Sequence, residues 1–470
     1  MIGFLVAGVA LALLFLAGSY LPLQAGVLLF WALALWGALA IRINRQLSLL
    51  TRFMIVLYTM PFGVTINYLF KADYLWWYTP ASVELQQDRL LLTQMISVGL
   101  IGLLGLLSGV RLGQESVRRR QPHDSRMAPV RQRTLPASLF IALLACAVFA
   151  VWLMAPPKNL FEAPYASTES GEGIAVTINF NSLGVIGYTL LVLLYIDAER
   201  ELLSRRRTLK MLLVLAAVCF IVLFLQLLRG DRDCLGLIAA LMALYVTRRD
   251  EPVAGEANRR HVKTMWRRMR RLIPIGVVIV LIFVALGAVR QSFADSESRS
   301  SFDPLEAVVS GWENSTWTAL LLTNLSMAGR YRSGELEYLY GHTYVDYALS
   351  LPPGVLTHFL GIARPVESNQ SPNWWFEGIS AGGVHPALVP FRNFGIVGTF
   401  GVLGVFGFLI ARWDNPTNGR FTYGAVFVSS FNWFWYGDMN IIHGLMAAVL
   451  LWVIYQQLVR RQSTSAAIVC

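Results

Sequence analysis

Charged side chains are scarce in this 470-residue chain: Asp, Glu, Lys and Arg make up 14% of it, against roughly a quarter of a soluble protein. Hydrophobic residues take 56%, above the roughly 45–50% usual for a soluble domain. Together these figures exclude a soluble globular enzyme. Cysteine is nearly absent. Cys146, Cys219, Cys234 and Cys470 form no CxxC and three of them sit in apolar runs, so neither a disulfide framework nor a zinc site is supported. The chain also lacks a P-loop, an HExxH pair and a dinucleotide-binding GxGxxG. ATP-driven transport is therefore not expected, nor is a metal or cofactor site.

What is present is basic charge on a greasy chain. Lys and Arg number 39 against 28 acidic residues, for a net charge of +11. Such an excess suits nucleic acid in a soluble protein, but in a membrane protein it orients helices. A transmembrane helix needs about 20 apolar residues. Twelve stretches qualify as candidates, near 2–18, 22–41, 50–70, 89–110, 136–155, 174–196, 211–228, 234–247, 272–289, 393–411, 421–436 and 441–459. With the N-terminus in the cytoplasm, 28 of the 39 basic residues fall on inner segments and 11 on outer ones. That asymmetry is the positive-inside pattern. It removes nucleic acid as a partner and leaves the lipid bilayer. Both termini are expected inside, and the stretch 1–18, without a basic leader, reads as a retained first helix. The expected fold is an all-α polytopic membrane protein in one integral domain. Its parts are an N-terminal bundle (1–289), a large outer loop (290–392) and C-terminal helices (393–470). Gly401, Gly404 and Gly407 read as a close helix-packing face.

The outer loop is roughly 100 residues long, and connections of that length are usually functional or structured. Asp303-Pro304 opens a helical piece and Pro352-Pro353 closes another. Chemistry is expected at the outer arginines, which orientation alone would place elsewhere. Arg229-Gly230-Asp231-Arg232-Asp233 joins two apolar stretches, and the second is only about 21 Å long as a helix, short of the hydrocarbon core. Either the bilayer thins there or Arg232 lies below the headgroups. Arg290 ends the next apolar stretch at a similar level. Guanidinium forks at that boundary suit a diphosphate. The alternative reading is a structural knot in which Asp231 and Asp233 pair with Arg229 and Arg232. In the stretch GISAGGVHPALVPFRNFGIVG, Pro386 and Pro390 keep the chain irregular and Arg392-Asn393 open a helix. His385 is a candidate acid/base or a merely hydrogen-bonded ring. Glu377, Glu367 and Asp346 are rival bases.

Four stretches carry a family resemblance: LLRGDRDCLGLIAALMALYVTRR; GAVRQSF; TALLLTNLSMAG followed by YLYGHTYVDYALSLPPGVLTHFLGIARP; and GGVHPALVPFRNFGIVG. In this order, over residues 211–460, the chain resembles Wzy-type O-antigen and enterobacterial-common-antigen polymerases. The resemblance implies a metal-independent C-type glycosyltransferase-like enzyme of the bacterial inner membrane, active at the periplasmic face. It would move a growing glycan from undecaprenyl diphosphate onto an undecaprenyl-diphosphate-linked repeat unit. Arg232 and Arg290 would hold the diphosphate, with Arg229, Arg364 and Arg392 in support, and a chain-length regulator is a candidate partner. Related expectations are an O-antigen ligase, which passes the glycan to lipid A core, and a lipid-linked oligosaccharide flippase. The absence of an internal repeat argues against the flippase.

Overall fold

The computed structural model describes residues 2–40, 42–43, 46–66, 89–120, 145, 180–202, 234–248, 264–278, 333–334, 337–349, 385–414, 420–436, 441–442, 444–454 and 457. These residues are almost wholly helical. In chain order the helices are α1 (Ile2–Leu16), α2 (Leu23–Ala40), α3 (Leu49–Thr59), α4 (Arg89–Arg120), α5 (Phe180–Leu202), α6 (Cys234–Val246), α7 (264–278), α8 (His342–Leu349), α9 (Leu388–Trp413), α10 (Arg420–Tyr436) and α11 (Gly444–Ile454). Between α2 and α3, two two-residue strands pair antiparallel, Arg42 with Leu47 and Ile43 with Gln46.

The elements follow the apolar pattern with instructive departures. α4 continues past the expected end near 110 to Arg120, because seven of the ten residues after it are Arg, Leu, Gln or Glu, all good helix formers. α3 ends early: Pro61 lacks the N–H needed to continue the ladder, and the chain tightens into a 3-10 turn, Met60–Ile66. α9 starts at Leu388 rather than at Asn393. Pro390 is accommodated because first-turn N–H groups have no intrahelical acceptor. By length and composition, Arg89–Val117 and Leu388–Trp413 can each cross a membrane. The expected spans at 136–155 and 211–228 lie outside the described residues, apart from Ala145.

α4 and α9 form the centre of the bundle, and they meet backbone to backbone. Gly105, Gly109 and Gly113 stack at four-residue spacing on α4, facing Phe400, Gly404 and Phe408 of α9. A Cβ at Gly113 would stand 2.5 Å from the Phe408 carbonyl oxygen, and one at Gly109 would overlap the Gly404 carbonyl. From the other side, a Cβ at Gly407 would overlap the Leu106 carbonyl. In lipid no water is released when two helices meet, so close van der Waals contact and Cα–H···O bonds must hold the pair. Only residues without a side chain permit them. Of the three expected packing glycines on α9, Gly404 and Gly407 lie in this seam, whereas Gly401 faces open space.

α3 is fastened to α9 at both ends. Asp414, immediately after α9, accepts hydrogen bonds from Leu50 N–H (3.2 Å) and Thr51 N–H (3.0 Å). It thus satisfies two first-turn donors that α3 cannot satisfy itself. His385, just before α9, donates from Nε2 to the Tyr58 carbonyl near the other end of α3 (2.8 Å). Tyr58 also donates its hydroxyl to the Gly99 carbonyl of α4 (2.8 Å). α1 packs onto the same pair, with Gly8 against Phe400 and Phe15 edge-on to Phe391.

A substitution in the seam separates the packing from helix propensity. Gly109→Leu should destabilise the detergent-solubilised protein by about 3 kcal/mol or more through overpacking. Gly401→Ala, on the open face, should be neutral or stabilise by up to about 1 kcal/mol. Thermal unfolding of the two variants measures the difference; equal midpoints would remove the seam as the organising contact.

Candidate functional site

The end of the bundle where α9 begins is built around a break in that helix. Gly395 adopts φ 63° and ψ −153°, a conformation closed to residues with a Cβ. A side chain there would also press on the Tyr338 ring, 3.2 Å from the Cβ position. The break divides α9 into a short first piece, 388–394, and the long helix beyond it. The Thr399 hydroxyl lies between the Gly395 carbonyl (3.1 Å) and, across the break, the Ala387 carbonyl (3.5 Å).

A piece of the large loop docks against this break. Leu339 N–H donates to the Arg392 carbonyl (3.0 Å). Asn393 holds α8 by its first turn: its Oδ1 accepts from Thr343 N–H (3.3 Å), while its Nδ2 donates to the Val389 carbonyl (2.8 Å). Aromatic rings close the joint. Tyr344 stacks on Phe394 with centroids 5.9 Å apart, and Tyr338 meets Phe391 edge to face at 6.1 Å. Gly341, at φ 90°, brings the backbone within contact of Phe394. The large loop is thus ordered at this point and anchored on the start of α9.

His385 sits behind the joint. Its ring is fully buried, edge-on to Tyr58 and Phe62 at 4.5 and 5.1 Å. Nδ1 accepts from Ala387 N–H (3.2 Å) and Nε2 donates to Tyr58 O (2.8 Å), which defines the neutral Nε2–H tautomer. Burial lowers its pKa to about 4. In this geometry both nitrogens are committed to the backbone, and the ring acts as a staple between the Gly/Pro segment and α3. At the opposite end of α3, burial pushes the Asp414 carboxyl up to about 7, against the hydrogen bonds from Thr51 and Leu50.

Of the other candidates, Arg392 lies in the first piece of α9 and is 8% exposed, so it is an interior residue of the joint rather than an open surface cation. Asp346 is carried on α8, one turn beyond the Asn393 contact. Arg229, Arg232, Arg290, Arg364, Glu367 and Glu377 lie outside the described residues. The joint-forming residues Asn393, Gly395, Tyr338 and Tyr58 are not among the sequence candidates. Asn-Phe-Gly inside an apolar run was the signal available for the first two, since a polar side chain and a glycine both mark a broken helix.

These features define a class: a helical membrane protein in which, among the described residues, a loop segment, 337–349, packs on a discontinuous helix at one end of the bundle. The family model described as O-antigen polysaccharide polymerase Wzy matches residues 1–380, and the chain belongs to that family. The match takes in the first 210 residues, which the four sequence stretches do not cover, and stops before α9, so GGVHPALVPFRNFGIVG lies beyond it. No curated protein and no solved structure matches the chain.

The two buried groups at the ends of α3 make opposite contributions to stability. His385, with its pKa depressed from 6.5, favours the fold above pH 6.5, and this is lost as pH falls towards 4. Asp414, raised from 3.8, favours the fold below pH 3.8, and this is lost as pH rises through 7. The wild type should therefore show a shallow pH dependence between 4 and 6.5. Asp414→Asn should lose stability as pH falls through that window, and His385→Gln should lose it as pH rises. Unfolding midpoints at half-unit pH steps test this; parallel profiles for both variants would contradict it.

Proposed function

We propose that this member of the Wzy family extends a glycan at the periplasmic face of the inner membrane. The family match over residues 1–380 carries the reading, and the charge asymmetry supplies the orientation. In this reading the chain crosses the bilayer twelve times with both termini in the cytoplasm. The donor is a growing glycan on undecaprenyl diphosphate and the acceptor is an undecaprenyl-diphosphate-linked repeat unit. The acceptor hydroxyl oxygen bonds to the donor's anomeric carbon as the bond from that carbon to the diphosphate oxygen breaks. The diphosphate leaves with the electron pair, and the hydroxyl proton passes to a base.

Each part of that displacement has a candidate in the outer segments. Developing charge on a diphosphate is best met by fixed cations in a site of low dielectric, and Arg232 and Arg290 take that role without a divalent metal. Arg229 and Arg364 support them. Arg392, buried where the loop docks, acts by holding the joint. The base is a carboxylate of the outer loop, Glu377 or Asp346. His385 serves as a positioning residue, because a ring with both nitrogens bonded to backbone has no lone pair to offer. A chain-length regulator would approach from the periplasmic side.

A deletion strain tests the reaction class: loss of this activity should leave lipopolysaccharide carrying one repeat unit, whereas bare core would assign a ligase. Within the complemented strain, Arg232→Ala and Arg290→Ala at normal membrane levels should each abolish chain extension. Removing a fixed donor to developing charge typically costs about a hundredfold or more in rate. Retention of the wild-type distribution of chain lengths would reject the diphosphate role.

A further inference from the structure

At the end of the bundle opposite the Gly395 break, four helix termini converge on one carboxylate. Glu199, near the end of α5, is buried and accepts from Arg420 at the start of α10 (Nη2 to Oε2, 2.6 Å). Arg248, just past α6, stands at 3.7 Å from its other oxygen. Arg420 also caps α6, donating to the carbonyls of Leu244 (2.8 Å) and Thr247 (3.4 Å). Arg268, in the first turns of α7, donates to the Arg248 carbonyl (2.5 Å) and lies over the Tyr245 ring at 5.7 Å.

Among the described side chains, guanidiniums outnumber carboxylates in this cluster. Among the described residues, Glu199 is the carboxylate that pairs with Arg248 and Arg420, and the C-terminus of α6 contributes about half a negative charge. The end of α5 adds another half negative charge, and the starts of α7 and α10 add about half a positive charge each, so roughly one positive charge remains before Arg268 and the exposed Arg267 and Arg271 of α7 are counted. The buried Nε–H of Arg420 has no hydrogen-bond acceptor, while Arg248 faces the Glu199 carboxylate through its own Nε at 3.7 Å; the two side chains are about a fifth and a quarter exposed. An apolar surface borders these cations: Trp266, Ile273, Ile275, Val277 and Val278 of α7 are all exposed. Beside Arg420, Trp452 stacks on Phe421 with centroids 5.1 Å apart.

We propose that Arg248, Arg420 and the first turns of α7 bind a phosphate-bearing anion, supplied in the membrane by the headgroup of an anionic phospholipid of the inner leaflet. Guanidinium forks match phosphate oxygens geometrically. The cations sit where a headgroup would lie, and the apolar face of α7 offers a path for the acyl chains. The site rests on the inner placement of these helix ends and not on the glycan reaction.

The test uses the full-length protein in detergent, with thermal unfolding followed during titration with phosphatidylglycerol, phosphatidylcholine or inorganic phosphate. Phosphatidylglycerol should raise the midpoint and phosphatidylcholine should not. Arg248→Gln, which leaves the Arg420–Glu199 pair intact, should raise the half-saturating phosphatidylglycerol concentration about fivefold. Arg111→Gln should leave it unchanged, since Arg111 pairs with Glu115 on the exposed face of α4. If Arg248→Gln fails to fold, the exposed pair Arg267→Gln and Arg271→Gln serves instead, with the same expected loss. Equal shifts with both lipids, or no loss in the variants, would overturn the site. A full shift with inorganic phosphate alone would overturn the lipid assignment. The readout is binding, so it stands or falls independently of polymerase activity.

Discussion

The close approach of α4 and α9 is the contact on which the rest of the structure depends. Gly105, Gly109 and Gly113 on one side and Gly404 and Gly407 on the other let two backbones touch along several turns. In a bilayer this kind of contact replaces the hydrophobic effect, because lipid tails are as apolar as the side chains they would displace. Once α4 and α9 are locked, the ends of α9 have fixed positions. His385 and Asp414, the residues that bracket it, then reach the two ends of α3 across more than 300 residues of chain.

That double fastening has a functional consequence. Tyr58, Phe62 and His385 form a packed floor beneath the first piece of α9. On top of that piece the loop segment 337–349 docks through Leu339, Asn393 and the Tyr344–Phe394 stack. A break in a transmembrane helix is tolerated where protein surrounds it and satisfies the freed backbone. Here the Arg392 carbonyl is taken by Leu339 and the Gly395 carbonyl by Thr399. The break therefore serves as the mounting point for the segment 337–349, which carries Asp346.

Charge is used differently at the two ends of the bundle. At the end holding Asp414, Glu199 and Arg420, carboxylates and guanidiniums cap helix termini and tie α3, α5, α6, α7, α9 and α10 together. Basic residues at this end are structural: Arg420 neutralises the end of α6 while pairing with Glu199. At the other end, polar contacts are mostly neutral, through amide, hydroxyl and imidazole groups.

Composition and pattern by themselves pointed to an all-helical membrane chain with unevenly distributed basic residues, and the resemblance of four short stretches pointed to the Wzy family, which the family match over residues 1–380 shows. These follow from the sequence because they depend on local quantities, namely apolar run length, the sign of loop charge and the order of short motifs. The start of α9 was misread from its prolines, since a proline's effect depends on whether its position lies in the first turn. His385 was legible as an ionisable residue in an irregular segment, but its commitment to Tyr58 and Ala387 was not. Nor were the partners of Asp414, Asn393 and Glu199, each a contact between distant parts of the chain. Such pairings depend on which helices lie side by side, and in lipid that is settled by backbone fit between small residues rather than by hydrophobicity. Tertiary structure alone decided them.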